Sequence, residues 1–122
     1  MPVCLAGAGA LLRVAATTFT LSWTHTIEKI PWVESWAISD KTLLLTEARV
    51  KGSGAGMEPP PEARLVDGWY VWHPENPQRR EIVLRREPVA GDWTFCAPTV
   101  PCAPLGKLLP QDADPVTIKP CD

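Results

Sequence analysis

The sequence predicts an all-β fold: an antiparallel sandwich or a partly open barrel of about seven to nine short strands, with little helix. Fourteen prolines in 122 residues leave little room for long helices, because proline lacks the backbone donor and clashes inside a helix. Apolar and polar residues alternate between short turn signals, as in half-buried strands. Without crossover helices, neighbouring strands are expected to be antiparallel. A chain of this length fits one domain covering residues 1–122.

The first strands are predicted to form a hairpin. Residues 3–6 and 11–17 flank the sequence Gly-Ala-Gly-Ala at positions 7–10. Glycine destabilises a helix interior and suits a tight turn. A hairpin is therefore favoured over a helix at the start of the chain.

The strongest strand signal lies at residues 18–27, where an apolar face alternates with an unbroken hydroxyl face. Its apolar face comprises Phe19, Leu21, Trp23, His25 and Ile27. A second strand at residues 32–39 follows after the four residues 28–31. The two strands are therefore predicted to form a hairpin with a four-residue loop.

The loop length also sets the predicted register of this hairpin. If Ile27 faces Trp32, the same register places His25 opposite Glu34. Apolar partners then meet at the other positions of that face, so the register is self-consistent.

The rest of the chain continues the pattern of strands and turns. Serine and aspartate at residues 39–41 favour a turn, which leads into a third strand at residues 42–50. Further segments with strand patterns are residues 69–72, 81–86, 93–96 and 116–118. The one helical candidate is a single turn at residues 104–109.

Six tryptophans are the other unusual feature of the composition. A small β domain uses tryptophan as core volume, so Trp23 and Trp36, which face each other in the predicted register, are expected in the core. The strand at residues 69–72 places large rings on both of its faces. A core role and a ligand-contact role both stay open for Trp69 and Trp72.

Charge and hydropathy argue against nucleic-acid binding and against a membrane-spanning helix. The formal net charge is −2, and no segment combines clustered cations with aromatics, so nucleic acid is not an expected partner. The arginine pairs at 79–80 and 85–86 are expected to form a solvated rim. No uncharged stretch reaches the length of about 18 residues that a spanning helix needs, so the chain is expected not to span a membrane.

The first residues do not match an export signal. A positive n-region is lacking, and Arg13 interrupts the apolar run, where a signal peptide would continue it. A cytoplasmic location is therefore expected, with a periplasmic or membrane-peripheral one as the alternative.

Four cysteines form no Cys-x-x-Cys pair and match no zinc spacing, so a structural zinc site is not expected. Cys96 and Cys102 bracket a connection with two prolines that would bring the thiols together. Cys4 and Cys121 would meet if the terminal strands pair. Both disulfides stay open at this point, and in a reducing compartment four free thiols are expected.

The predicted pair of His25 and Glu34 is the main candidate for chemistry. A carboxylate beside an imidazole can orient a general base or supply part of a metal site. The structural alternative, which we favour, is that the two groups neutralise each other on an apolar face. Glu28 lies three residues after His25, which on a strand is the opposite face, so these residues do not form a helical zinc motif.

The glycine-rich segment at residues 51–57 is the second candidate site. Its members are Lys51, Gly52, Gly54, Gly56 and Met57. The segment lacks the Gly-Lys-Ser/Thr ending and the following helix of a phosphate loop. Its backbone N–H groups can still form an anion nest beside Lys51, so a small organic anion is a candidate ligand, although a simple chain reversal is the favoured interpretation.

Nothing in the sequence indicates nucleophilic catalysis or a cofactor. No Gly-x-Ser-x-Gly elbow occurs, and no cysteine stands beside a histidine in an evident arrangement. We therefore expect no catalytic residues, no metal and no cofactor.

Three segments resemble a known bacterial family. They are FTLSWTHTIEKIPWVESW at 19–36, LTEARVKGSGAGMEPPP at 45–61 and DGWYVW at 67–72. Together they resemble the domain-of-unknown-function family eighteen-fifty, whose members carry a similar pattern of aromatic, His-Ser-Val-Glu, proline and glutamate followed by a Gly-Ala-Gly-Met loop. His25, Glu28 and Glu34 match that pattern, while Thr26 and Ile27 replace its serine and valine.

The resemblance implies a role beside a transporter. Genes of that family commonly lie next to TAXI-type TRAP transporters, which are tripartite carriers that take up organic anions. The expected function is a non-enzymatic accessory protein that binds or regulates a subunit of such a carrier, through a surface that includes residues 52–57. The alternative is a small-molecule or metal-binding module that uses His25, Glu34 and Glu28.

Overall fold

The structure of the protein is a computed structural model that describes residues 2–24, 29–52, 58–86 and 92–122. Within these ranges it contains twelve strands and one helical turn, α1 (Leu105–Leu108). The strands are β1 (Val3–Gly7), β2 (Ala10–Val14), β3 (Thr18–Thr24), β4 (Pro31–Ser39), β5 (Thr42–Val50), β6 (Arg64–Val66), β7 (Trp69–Trp72), β8 (Gln78–Arg79), β9 (Ile82–Leu84), β10 (Thr94–Ala97), β11 (Val100–Pro104) and β12 (Val116–Pro120).

The strands form two antiparallel sheets. The smaller sheet has the order β2-β1-β12-β9, and the larger has the order β11-β10-β3-β4-β5-β7-β6, with β8 also paired to β5. The sheets do not close into a barrel, so the predicted all-β sandwich is confirmed. Three of the twelve strands were not predicted: β6, β8 and β11. Two of these are only two or three residues long, and β11 contains two prolines, so none shows a clear alternation.

The strands at the two chain ends, β1 and β12, lie next to each other in the middle of the smaller sheet. The predicted hairpin is confirmed as β1 and β2, with Gly7 opposite Ala10 and left-handed backbone at Ala8 and Gly9 (φ 51° and 78°). These two φ values suit a two-residue hairpin turn. The predicted closing strand is also confirmed, because β12 pairs with β1 and runs beside β9.

The main core lies between the two sheets. From the smaller sheet, Leu5 and Ile118 point inwards and are fully buried. From the larger sheet, Phe19 stacks on Trp36 with ring centroids 6.2 Å apart and on Phe95 at 5.4 Å. Aromatic pairs at such distances add to the hydrophobic burial of their rings, so this stack anchors β3, β4 and β10 to one another.

A second apolar cluster lies beside the core on the larger sheet. Ile30 and Val50 are its buried members, with Trp23, Trp32, Tyr70 and Trp72 packed around them. Trp32 meets Trp72 edge to face at 5.5 Å. The expected core role is thus correct for Trp36, whereas Trp23 belongs to the second cluster and faces Trp32 in the register.

All four cysteines form disulfides, Cys4–Cys121 and Cys96–Cys102. The expectation of free thiols is therefore wrong. Pairing of β1 with β12 brings the chain ends together, and the hairpin of β10 with β11 brings the other two cysteines together. Both pairings that the sequence left open occur.

Arg86 forms a partly buried ion pair and holds the segment between α1 and β12. The guanidinium of Arg86 donates to both carboxylate oxygens of Asp92 at 3.1 and 3.2 Å and to the carbonyl oxygens of Pro110, Gln111 and Ala113. Arg86 is 13% exposed. The expected solvated rim is therefore wrong for this residue, because a folded loop supplies acceptors that the local sequence does not show.

The structure contains no helix of the length and apolarity required to cross a membrane, as judged over the residues that it describes. Its one helix there, α1, has four residues.

Candidate functional site

In the register of the β3–β4 hairpin, Glu34 does not have the partner that was predicted for it. Glu34 faces Leu21, so the predicted register, with His25 opposite Glu34, is wrong. The last described pair of the hairpin is Thr24 with Pro31. His25 and Glu28 lie outside the described residues, and their proposed roles stay predictions.

Packing of aromatic rings on the inner face of the larger sheet explains this register. The observed pairing places Trp36 opposite Phe19, and Phe95 on β10 lies opposite Leu21 on the other side of β3. The three aromatic rings then stack inside the main core. The predicted register also matched apolar partners, but it did not take the contacts of β10 and the second sheet into account.

Two tryptophans of the same strand hold the carboxylate of Glu34. Trp32 Nε1 donates to Oε2 and Trp36 Nε1 donates to Oε1, each at 3.1 Å. The three side chains share one face because alternate residues of a strand point the same way. Glu34 therefore bridges the main core, through Trp36, and the second cluster, through Trp32.

The surroundings of Glu34 disfavour its charged form. Burial raises the pKa of Glu34 above its ordinary value of 4.5, while the two indole hydrogen bonds and the positive charge of Arg79 partly lower it again. Its cross-strand neighbours Leu21 and Ala48 are apolar. Desolvation of a carboxylate by such neighbours is the dominant effect here.

The other histidine is engaged elsewhere in the larger sheet. His73 Nδ1 lies 2.9 Å from the carbonyl oxygen of Thr46, a contact in which the ring N–H donates. Among the described residues, no group of three histidine, cysteine or acidic side chains is placed to hold a metal ion.

A basic surface includes Lys51, the first residue of the second predicted site. Arg49 on β5 and Arg64 on β6 both face Val71 of β7, one from each side, so the three side chains share one face. The guanidinium of Arg49 lies 5.0 Å from the ring centroid of Trp69, and Lys51 Nζ lies 5.7 Å from it. We call Arg49, Lys51, Arg64 and Trp69 the basic face.

The glycine-rich segment starts next to the basic face. Gly52 has a φ of +125°, which L-residues rarely adopt, so the chain turns away from β5 at this point. The favoured chain reversal at residues 52–57 lies mostly outside the described residues and stays a prediction. Gly54, Gly56 and Met57 lie outside the described residues, so the predicted anion nest stays a prediction.

Strand β6 forms the edge of the larger sheet, next to the basic face. Leu65 is 63% exposed and Val66 is 50% exposed. Sequence reasoning missed this strand, although one signal was present: Asp67 and Gly68 form the turn into β7 with φ 50° and 86°, and an Asp-Gly turn is typical of hairpins. The strand before that turn could have been inferred from it.

Comparison with protein families gives a match over residues 19–100 to the family described as a domain of unknown function, DUF1850. The chain belongs to the DUF1850 family. The expected family membership is thereby confirmed. Neither the curated proteins nor the solved structures gave a match.

The DUF1850 match spans the larger sheet from β3 to the first residue of β11. It therefore includes Glu34 with its two tryptophans, the basic face and the β6 edge. The terminal strands β1, β2 and β12 lie outside the matched residues. All the candidate features thus belong to the DUF1850 segment.

The DUF1850 segment also carries a shallow groove on the outer face of the larger sheet. Its volume is about 520 Å³. Its lining includes the aromatic residues Phe19 and Trp36 and several small or hydroxyl-bearing residues, among them Thr18, Thr20, Ser35, Ala37 and Thr46. The groove thus follows the hydroxyl face that the sequence predicted for β3.

Proposed function

We propose that this DUF1850 protein is a non-enzymatic accessory protein that docks onto a subunit of a TAXI-type TRAP carrier. The observation that carries the proposal is the exposed edge strand β6, with Leu65 63% exposed and Val66 50% exposed. Natural sheets blunt their edges with charges or cover them, because an uncovered apolar edge pairs with other chains. An apolar edge of this kind is typical of an interaction surface.

The edge supports docking by strand addition. Strand β6 is bonded to β7 on one side and ends the order of the described strands, so its other side presents backbone donors and acceptors. An extended segment of the carrier would bond to them, as in other cases of peptide addition to a sheet edge. The neighbouring cations Arg49, Lys51 and Arg64 favour a segment that carries acidic residues.

We further propose that the protein works in an oxidising compartment outside the cytoplasm. The support is the pair of disulfides, which include all four cysteines. Structural disulfides persist where thiols are not kept reduced, as in the periplasm. Alkylation of thiols in intact cells would test this proposal: we expect no labelling before reduction and four labelled thiols after it, whereas labelling without a reductant would contradict it.

The position of Glu34 supports a structural role rather than a catalytic one. Both of its oxygens accept indole N–H groups, and its strand partner is Leu21. A carboxylate held in this way ties two apolar clusters together. The alternative small-molecule function is better supported at the basic face, where cations lie beside an exposed edge.

Purification of the carrier with tagged variants tests the docking proposal. Leu65→Lys places a charge on the edge strand, and Leu11→Lys is a matched control because Leu11 is 68% exposed on β2, an edge strand of the other sheet. We expect Leu65→Lys to lower the amount of recovered carrier at least about tenfold, which corresponds to a loss of about 1.4 kcal/mol of binding free energy. Leu11→Lys should leave the amount of recovered carrier unchanged. Equal recovery with both variants, or no carrier with the wild type, would refute the proposal.

A further inference from the structure

We propose that Arg49 and Lys51, held over the ring of Trp69, form a carboxylate-binding site. Arg49 was not a candidate in the sequence. Lys51 was a candidate as part of the glycine-rich segment, and a ligand-contact role was left open for Trp69, but nothing in the sequence brought the three residues together. The inference does not rest on the docking proposal, because a free organic acid would satisfy the same site.

Strand pairing brings these three residues together. Val50 faces Tyr70, so Arg49 and Lys51, the residues on either side of Val50, lie on the opposite face of β5. Trp69, the neighbour of Tyr70, lies on that face of β7. The two cationic groups approach one ring, at 5.0 and 5.7 Å from its centroid, distances at which cations are attracted to an aromatic ring.

These cations are not neutralised by described residues. In the part of the chain that the structure describes, the one ion pair is Arg86 with Asp92. Arg49 Nε is buried and has no hydrogen-bond partner there. A buried donor without an acceptor is unfavourable, so the guanidinium of Arg49 has hydrogen-bonding capacity that the described residues do not use.

Acidic residues on the neighbouring strand and turn do not replace a ligand. Glu47 lies two residues before Arg49 on the same strand, and Asp67 lies in the turn between β6 and β7. Neither forms an ion pair with Arg49 or Lys51 in the described structure. Two positive groups therefore approach one ring, and no described acidic residue forms an ion pair with either of them.

The chemistry of the site fits a carboxylate. A guanidinium presents parallel N–H groups that match the two carboxylate oxygens, and the ammonium of Lys51 adds a compact positive charge. The indole of Trp69 gives an apolar wall for the carbon atoms next to the carboxylate. Stacking on the ring also restricts both cationic side chains before binding, which reduces the entropy lost on association.

The carboxylate has two possible sources, and one titration separates them. The indole N–H signal of Trp69, assigned with Trp69→Phe, is followed by NMR during addition of succinate and, separately, of a short peptide rich in aspartate. A saturable shift with succinate identifies a free organic acid as a ligand. A shift with the peptide alone identifies an acidic segment of a partner. Either result supports the site.

Variants locate the binding. Arg49→Gln and Lys51→Gln should each weaken binding about tenfold or more, as expected for the loss of one charge-assisted contact, whereas the exposed Lys107→Gln should bind as the wild type does. If Arg49→Gln does not fold, Lys51→Gln decides alone. The site is refuted if neither ligand gives a saturable shift, or if the Lys51 and Lys107 variants weaken binding equally. Succinate binding with no carrier docking would refute the docking proposal and keep this one.

Discussion

Leu21 and Glu34 are directly opposed across the β3–β4 pair. The carboxylate therefore faces an apolar side chain, and Ala48 flanks it on the other strand. The indole groups of Trp32 and Trp36 supply its hydrogen bonds from within its own strand. Glu34 is thus an acidic group in a largely apolar environment, which makes the stability of the fold depend on its protonation.

Glu34 should make the protein less stable as the pH rises. Because its pKa is raised by burial, the native state keeps this proton to a higher pH than the unfolded chain does. The free energy of unfolding should therefore fall as the pH rises from the ordinary value of 4.5 through the raised pKa. Urea unfolding of the wild type and of Glu34→Gln over this range measures the effect.

The comparison of these two proteins isolates Glu34 from other titrating groups. The stability of the wild type relative to Glu34→Gln should decline across that window and become constant above it. A constant difference at every pH would mean that the Glu34 pKa is not raised.

The two disulfides should differ in their effect on stability. Cys4–Cys121 joins residues that are 117 positions apart in the sequence, whereas Cys96–Cys102 joins residues that are 6 positions apart. A cross-link restricts the unfolded chain more when the loop is longer. Replacing both cysteines of the first pair by serine should therefore lower the free energy of unfolding by about 5 kcal/mol, and the same change in the second pair should lower it by about 2 kcal/mol. Urea unfolding of the two double variants tests this order, and an equal loss would contradict it.

Arg86 should be sensitive even to a change that keeps its charge. Lysine at this position cannot donate to Asp92 and to three carbonyl oxygens at once, so Arg86→Lys should lower the free energy of unfolding by about 2–4 kcal/mol. Arg85→Lys is the control, because Arg85 is exposed. Thermal unfolding of both variants is the measurement, and matching losses would show that the Arg86 contacts contribute little.

Most strands could be predicted from the sequence because the pattern that indicates a strand lies within the strand itself and its turns. The strand predicted at residues 42–50 after a turn has the observed limits of β5, and the turn glycines gave the first hairpin. The register of β3 with β4 could not be predicted in the same way. Several registers matched apolar partners, and the choice depended on Phe95, which lies far away in the sequence.

For the candidate site too, local sequence patterns identified residues but not their partners. Glu34 and Lys51 were identified as residues of interest from their local patterns, but their partners depend on strand pairing. The contact of Arg49 with Trp69 requires β5 to lie beside β7. The acceptors of Arg86 come from residues up to 27 positions away, so its charge pattern alone indicated a solvated rim.

Photo-crosslinking at the β6 edge tests the docking proposal most directly. A photoreactive amino acid is introduced at position 65, and at position 11 as the control, since Leu65 and Leu11 are similarly exposed on edge strands of different sheets. The cells are irradiated, and the adducts are identified by mass spectrometry. The proposal predicts an adduct with a subunit of the TRAP carrier from position 65 and none from position 11. Adducts with that subunit from both positions, or from neither, would contradict it.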